Sequence, residues 1–348
     1  MSETGMFSDG CQTRSIHAPV TAGLRLIGVV AWTLLVVPWV GVLAGMGMVG
    51  RCRAAARFYW RGMVRLLGIT LEIKGEPCPD HPALFVANHA SYLDIIVLGA
   101  LVKGAFVAKR EVGQWPAIGF MSKLGRTVFI ERVARHSREQ KDELMTRLTD
   151  VGESLILFPE GTSNDGNRVL RFKSALLSVA EARIGEGRPL PVQPIALSYT
   201  RLDGLPMGRG WRPFFAWYGD MDLAPHLWMV LGLGRLTVEV VFHPAVTLDQ
   251  FGSRKALTDH CHRVIAQTVT AAVNGLPTAP LGPGDRKDGP AAPAQPAASP
   301  TQPAAAPAEP APDGQTPPGP AQTPPHDPSQ NSSQNSSGEP PAGDVTVG

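Results

Sequence analysis

The residues Asn88-His89-Ala90-Ser91-Tyr92-Leu93-Asp94 decide how this chain is read. They follow a short apolar run, Ala83-Leu84-Phe85-Val86-Ala87, of the length of a buried strand. A histidine leaving a strand end, with a carboxylate five residues on, has the makings of a base and its orienting partner. On one continuous helix that spacing sets the two side chains about 140° apart, at ~100° per residue. The pair therefore meets only if His89 stays in the turn and Asp94 sits at or near a helix start. Aspartate is favoured in a first helical turn on its own account. The spacing alone also fits a plain helix start beside an ordinary polar loop histidine.

Working outward, apolar runs alternate with helical patterns. Residues 83–87, 105–108, 127–130, 154–158, 192–198 and 236–242 read as strands. Residues 137–151 and 173–183 read as helices, and 253–274 as a closing helix with Gly275 just past its end. Strand–helix alternation argues an α/β domain, here residues 68–276.

Two flanking regions differ from it. Residues 1–23 are polar and weakly patterned and read as a flexible N-terminus. From Leu26 to Gly50 no residue is charged. At ~1.5 Å rise per residue this stretch is long enough for a bilayer core of ~30 Å. Pro38 and several glycines interrupt it, so a spanning helix and a hairpin dipping into one leaflet both fit; so does a buried soluble helix. Arg53, Arg57, Arg61 and Arg65 follow at intervals of four and line one helix face, beside Phe58, Tyr59, Trp60, Met63, Val64 and Leu66. A basic face next to an aromatic one suits an anionic membrane surface, and residues 24–67 are the expected anchor. The arginine excess after the span places the following domain on the cytoplasmic side. Residues 277–348 hold 19 of the 33 prolines and no aromatic residue. Such a segment buries too little apolar surface to offset its ordering entropy and reads as disordered. It is either an inert tail or an extended partner-binding segment.

Net charge is only +2, so composition carries no nucleic-acid signal. The four cysteines are scattered and form no C-x-x-C, which fits a reduced, cytosol-facing protein. His260-Cys261-His262 lies in a helical pattern with no further ligand types nearby, so no metal site is expected.

The seven opening residues fit His-x4-Asp, and three further blocks follow in order. These are Gly125-Arg126-Thr127-Val128-Phe129-Ile130-Glu131-Arg132, Phe158-Pro159-Glu160-Gly161-Thr162 and Val192-Gln193-Pro194-Ile195-Ala196-Leu197. Together they resemble the glycerolipid acyltransferase family, most nearly its bacterial 1-acyl-glycerol-3-phosphate acyltransferases and their lyso-ornithine-lipid relatives. The resemblance implies a central mixed sheet flanked by helices behind an N-terminal membrane helix or helical hairpin. It implies transfer of a fatty acyl group from an acyl carrier protein or coenzyme A thioester to a lysolipid hydroxyl, at a bacterial inner membrane and without a cofactor. It gives His89 and Asp94 the catalytic roles, and no acyl-enzyme is implied. Arg132, Glu160, Gly161, Thr162 and Lys173 would face the acceptor, while Phe129 and Pro194 would shape the acyl-chain side or serve structure.

The chemistry agrees with that assignment. Acyl transfer to an alcohol needs a base for the hydroxyl and donors for the developing oxyanion. His89 is the one residue of these blocks that titrates near neutral pH. Ser91 suggests a Ser-His-Asp set, but no G-x-S-x-G turn presents it. Packing or capping is the simpler reading of Ser91.

The chain departs from the phosphate-reading pattern in three places. Glu131 replaces the commoner aspartate. Ser163 stands where many phosphate-acceptor members carry arginine, and Phe172-Lys173-Ser174-Ala175 replaces their Phe-Lys-Lys-Gly. Ser163-Asn164-Asp165-Gly166-Asn167-Arg168 resembles the lyso-ornithine branch instead. Lysophosphatidate is the first expectation for the acceptor and lyso-ornithine lipid the alternative. A non-catalytic lipid-binding protein would need the apolar and basic faces but neither His89 nor Asp94. A membrane-tethered scaffold would work through the tail.

Overall fold

The computed structural model describes residues 17–109, 127–130 and 137–285. In chain order these form α1 (Pro19–Gly45), α2 (Val49–Leu66), β1 (Ile69–Lys74), β2 (Leu84–Ala87) and α3 (Tyr92–Leu101). There follow β3 (Ala105–Lys109), β4 (Val128–Ile130), α4 (Ser137–Thr149), β5 (Leu155–Leu157) and a 3-10 helix (Ser174–Glu181). The last elements are β6 (Arg183–Ile184), β7 (Arg188–Pro189), β8 (Val192–Leu202), β9 (Leu205–Pro206), α5 (Leu223–Gly232), β10 (Leu236–Phe242) and α6 (Arg254–Val273).

The main sheet runs β1-β10-β8-β2-β5-β3-β4, with β9 on β8. It is mixed, since β10 and β8 are antiparallel while β8, β2, β5, β3 and β4 are parallel neighbours. Helices cover both faces, so β2 is buried throughout, as befits a central parallel strand. Its side chains alternate. Phe85 and Ala87 join the core under α1, α2, α3 and α5. Leu84 and Val86 join the other, under α4, the 3-10 helix and α6.

α1 and α2 turn back on each other at Gly47, whose φ of 68° a side chain would resist. They run antiparallel. Trp32 Nε1 donates to the Tyr59 carbonyl at 3.0 Å, and the Thr33 and Tyr59 hydroxyls meet at 3.1 Å. Gly62 makes this possible, because a Cβ there would sit 2.2 Å from the Trp32 indole. The pair lies on the domain. Arg61 donates to the Ala100 carbonyl at the end of α3, and Trp60 rests on Gly99. The Ala18 N–H donates to the Gly232 carbonyl, and Arg25 donates to the Leu231 and Leu233 carbonyls at the end of α5. A cation there complements the unpaired carbonyls of a helix end. Of the two forms expected for the charge-free stretch, spanning helix or hairpin broken at Pro38, the structure shows one continuous helix that runs through Pro38 and begins at Pro19 rather than residue 24; it folds back only on the arginine-bearing α2.

Besides the two-residue strands β6, β7 and β9, three longer elements were absent from the sequence reading. β1 alternates cleanly, Ile69, Leu71 and Ile73 against Thr70, Glu72 and Lys74, but it is short and directly follows α2. α3 and α5 are apolar on nearly every side, so they carry no helical period to read. Of the expected helix 173–183, Ser174–Glu181 form a 3-10 rather than an α-helix. The segment is held at one end by the Lys173 N–H on the Pro159 carbonyl and at the other by entry into β6. A 3-10 helix rises ~2.0 Å per residue against ~1.5 Å, so it spans more distance between two held ends.

The folded region also runs past residue 276. The Thr278 hydroxyl joins the buried Glu239 carboxylate and the Lys74 ammonium, both at 2.6 Å, and the Leu281 N–H donates to His243. The expected tail, 277–348, is therefore attached to the sheet as far as Leu281, and beyond Asp285 it lies outside the described residues. Ending the chain at Leu276 should cost about 1–3 kcal/mol, the penalty for an unsatisfied buried polar group. Ending it at Asp285 leaves all these contacts in place. Thermal melts of the two truncations check this, and equal melting points would refute it.

Candidate active site

β2 and β5 are parallel neighbours, so the turns after them leave at the same edge of the sheet, where open α/β folds place ligands. The turn after β2 carries His89 and the turn after β5 carries Glu160. Asn88 closes the end of β2 against β8. Its Nδ2 donates to the Leu197 carbonyl at 2.9 Å and its Oδ1 accepts the Leu197 N–H at 2.8 Å.

Ser91 is the N-cap residue of α3 and is fully buried, which removes it as a nucleophile. Asp94 is therefore the third helical residue, and the helix start brings it back to the turn. Its Oδ2 accepts the Ala90 and Ser91 N–H groups at 2.7 and 2.9 Å and lies 2.9 Å from His89 Nδ1. Its Oδ1 accepts the Tyr199 hydroxyl at 2.6 Å. Asp94 is 1% exposed and the His89 side chain 21%. With Nδ1 turned to the carboxylate, Nδ1 carries the proton and Nε2 is the basic nitrogen left for a substrate. The His89 ring stacks on Phe158 with centroids 4.1 Å apart, which limits its rotation. Burial and the Asp94 charge push the Tyr199 hydroxyl well above its ordinary pKa, so it stays protonated and donates.

Glu160 is 2% exposed. Its Oε1 accepts the His89 N–H at 2.8 Å, and its Oε2 accepts the Leu170 N–H at 2.9 Å and Asn164 Nδ2 at 2.8 Å. Both oxygens are thus taken up inside the protein. In this arrangement Glu160 holds the His89 turn. Burial raises its carboxyl to about 7, against the pull of these hydrogen bonds.

Gly161 has φ of 71°, and Lys173 Nζ lies 3.1 Å from where its Cβ would be. Gly161, the exposed Thr162 and the exposed Lys173 therefore form one outward corner beside His89. Phe129 is the middle residue of β4, opposite Ala108. Arg132 lies outside the described residues. Pro194 is buried within β8 opposite Val86, so of its two expected roles the geometry supports the structural one.

Tyr199, Asn164 and Arg212 were missed by sequence reasoning. Tyr199 lies just past the fourth block, and only the pairing of β8 with β2 brings it to Asp94. Buried Arg212 donates to the Tyr199, Met207 and Val273 carbonyls and to Asn167 Oδ1, so it pins the 165–167 turn. Asn164 stands in the stretch 163–168 that resembles the lyso-ornithine branch, but nothing in the local sequence marks Tyr199 or Arg212. Among the described residues no three His, Cys, Asp or Glu side chains gather as a metal site.

A buried carboxylate, an imidazole and one free imidazole nitrogen at a strand end define a general-base site. A family model named Acyltransferase matches residues 70–198. A lyso-ornithine lipid O-acyltransferase of Brucella abortus is 40% identical over 226 residues, 64% of this chain and 84% of that one. A 1-acyl-sn-glycerol-3-phosphate acyltransferase of Neisseria meningitidis is 32% identical over 219 residues, 61% and 81% of the two chains. The crystal structure of a Thermotoga maritima 1-acyl-sn-glycerophosphate acyltransferase matches with a TM-score of 0.48 at 22% identity, covering 70% of this chain and 94% of that one. The chain belongs to the acyltransferase family, and the protein is an enzyme of lipid acyl transfer. With apolar α1, it is membrane-associated.

Proposed function

We propose that this enzyme O-acylates a lyso-ornithine lipid, with His89 as the general base. The carrying observation is the His89–Asp94 contact at 2.9 Å, with Nε2 on the side away from the carboxylate. Nε2 removes the acceptor's hydroxyl proton as the oxygen attacks the thioester carbonyl. The tetrahedral intermediate then expels the thiolate, which takes that proton from the imidazolium, and Asp94 stabilises the cation in between. The donor is an acyl carrier protein or coenzyme A thioester, and no cofactor takes part.

Two observations favour the ornithine acceptor. The relatives in Brucella abortus and Rhizobium meliloti, each 40% identical, carry that activity in their names. Ser163 stands where phosphate-reading members carry arginine, and Arg212, the buried cation nearby, is spent on three backbone carbonyls and Asn167. Lysophosphatidate is the second reading. The Lys173 ammonium at the Gly161 corner favours it.

The test is kcat/KM for both acceptors. Wild type should prefer lyso-ornithine lipid by at least tenfold. Ser163→Arg should lower that activity and raise lysophosphatidate turnover by about ten- to a hundredfold. A charge-assisted hydrogen bond is worth about 1.5–3 kcal/mol, and ~1.4 kcal/mol is tenfold. Wild type preferring lysophosphatidate by tenfold installs the second reading.

The α1–α2 hairpin would lie in the cytoplasmic leaflet of a bacterial inner membrane. Two features support a hairpin that does not cross. The start of α1 and the length of α2 both hold to the same domain, and the outer face of α1 presents Val20, Leu24, Ile27, Leu34, Leu35, Trp39 and Val42.

A further inference from the structure

We propose that Glu160 and Asn164 are positioning residues that clamp the His89 peptide and tie the base to the acceptor-side turn. The proposal rests on the reading of His89 as base. Glu160 Oε1 holds the His89 N–H at 2.8 Å. Asn164 holds the His89 carbonyl twice, through Nδ2 at 3.1 Å and its own N–H at 3.3 Å. The two side chains are joined, Asn164 Nδ2 to Glu160 Oε2, at 2.8 Å. Both backbone polar groups of the base are thus gripped by one side-chain pair. That pair also organises the next turn, because Glu160 Oε2 accepts the Leu170 N–H and Asn164 Oδ1 the Gly166 N–H. Residues 164–170 are thereby tied to the His89 peptide through one pair of side chains.

Every group facing the Glu160 oxygens is a donor, so only the ionised carboxylate offers both oxygens as full acceptors. A buried carboxylate is costly, and a glutamine of the same shape would avoid the charge. The amide, however, would turn its own N–H groups toward one set of those donors. The titratable groups around Glu160 are His89 and Asp94 from the β2–α3 turn, with the Lys173 ammonium beside the next residue, Gly161. Burial, with the Asp94 charge adding to it, raises the Glu160 carboxyl to about 7, so the clamp titrates in the working range. On protonation it loosens its hold on the His89 N–H.

The test is steady-state kinetics of the full-length enzyme in lipid vesicles, as a function of pH, for His89→Ala, Glu160→Gln and Asn164→Asp. Displacing a catalytic group by ~1 Å costs on the order of a hundredfold. Glu160→Gln should accordingly lower kcat by about ten- to a hundredfold with the acceptor KM within about twofold. Asn164→Asp sets a second carboxylate against Glu160, and a like charge raises proton affinity. The acid limb of its kcat profile should move upward by about one pH unit or more. A Glu160 that reads the head group predicts the opposite split, KM raised with kcat kept, and that result overturns the clamp. An unmoved acid limb in Asn164→Asp, with His89→Ala inactive, overturns the clamp alone. Near-normal turnover in His89→Ala overturns the catalytic reading and the clamp with it.

Discussion

Replacing His89 with alanine should lower kcat by about 10²–10⁴, the usual worth of a positioned general base. Acceptor binding should persist, since the side chain is assigned to proton transfer. Asp94→Asn should be comparably severe for a different reason. The amide oxygen can take the Oδ2 position and keep the Ala90 and Ser91 N–H groups, and the Tyr199 hydroxyl can turn to accept from the amide nitrogen. The turn therefore stays folded, and what is lost is the charge that stabilises the imidazolium. Tyr199→Phe keeps that charge and removes one donor to it, so its loss should be nearer tenfold, about the worth of one hydrogen bond to a charged group. The measurement is kcat and acceptor KM for all three variants, with melting temperatures as the folding control. Near-normal turnover in His89→Ala or Asp94→Asn ends the assignment. A trapped acyl-serine in wild type would reinstate Ser91, although its complete burial opposes that.

The second large effect concerns the membrane. Leu24 and Leu35 are 67% and 70% exposed on the outer face of α1. A buried side chain of this kind is worth about 1.5–3 kcal/mol. Replacing both with aspartate removes that gain and adds two charges that resist burial in lipid. The double variant should move from the membrane pellet to the soluble fraction while still turning over detergent-dispersed acceptor. Wild type should stay in membranes through a high-salt wash. Its release by salt alone would show that the arginines of α2 hold it and the apolar face does not. Protease outside intact cells should leave the domain uncut, and external cleavage near Asp165 would reverse the topology.

His89 and Asp94 were legible as a pair because both belong to one short turn, where spacing constrains geometry. Local pattern marked the strands on either side just as well: β10 falls on the expected residues 236–242, and β2, β5 and α6 lie within one residue of theirs at each end. The charge-free stretch announced an apolar anchor, and the departures at Ser163 and Ser174-Ala175 raised the acceptor question before any geometry was in hand. α3 and α5 went unread because a helix apolar on nearly all sides loses the period that identifies it.

Other features were decided only by tertiary contact. Glu160 belongs to a recognisable block, yet its partners, the N–H groups of His89 and Leu170, come from two other turns. Tyr199 reaches Asp94 because β8 runs parallel to β2 and continues past its end. The apolar stretch became a single helix laid against α2 because Gly62 admits Trp32, and Arg25 ties its first turns to the end of α5. Composition and periodicity report what each residue prefers within a few turns of itself. Which distant side chain meets a buried carboxylate is set by strand order and register, and those emerge only when the whole sheet closes over its two cores.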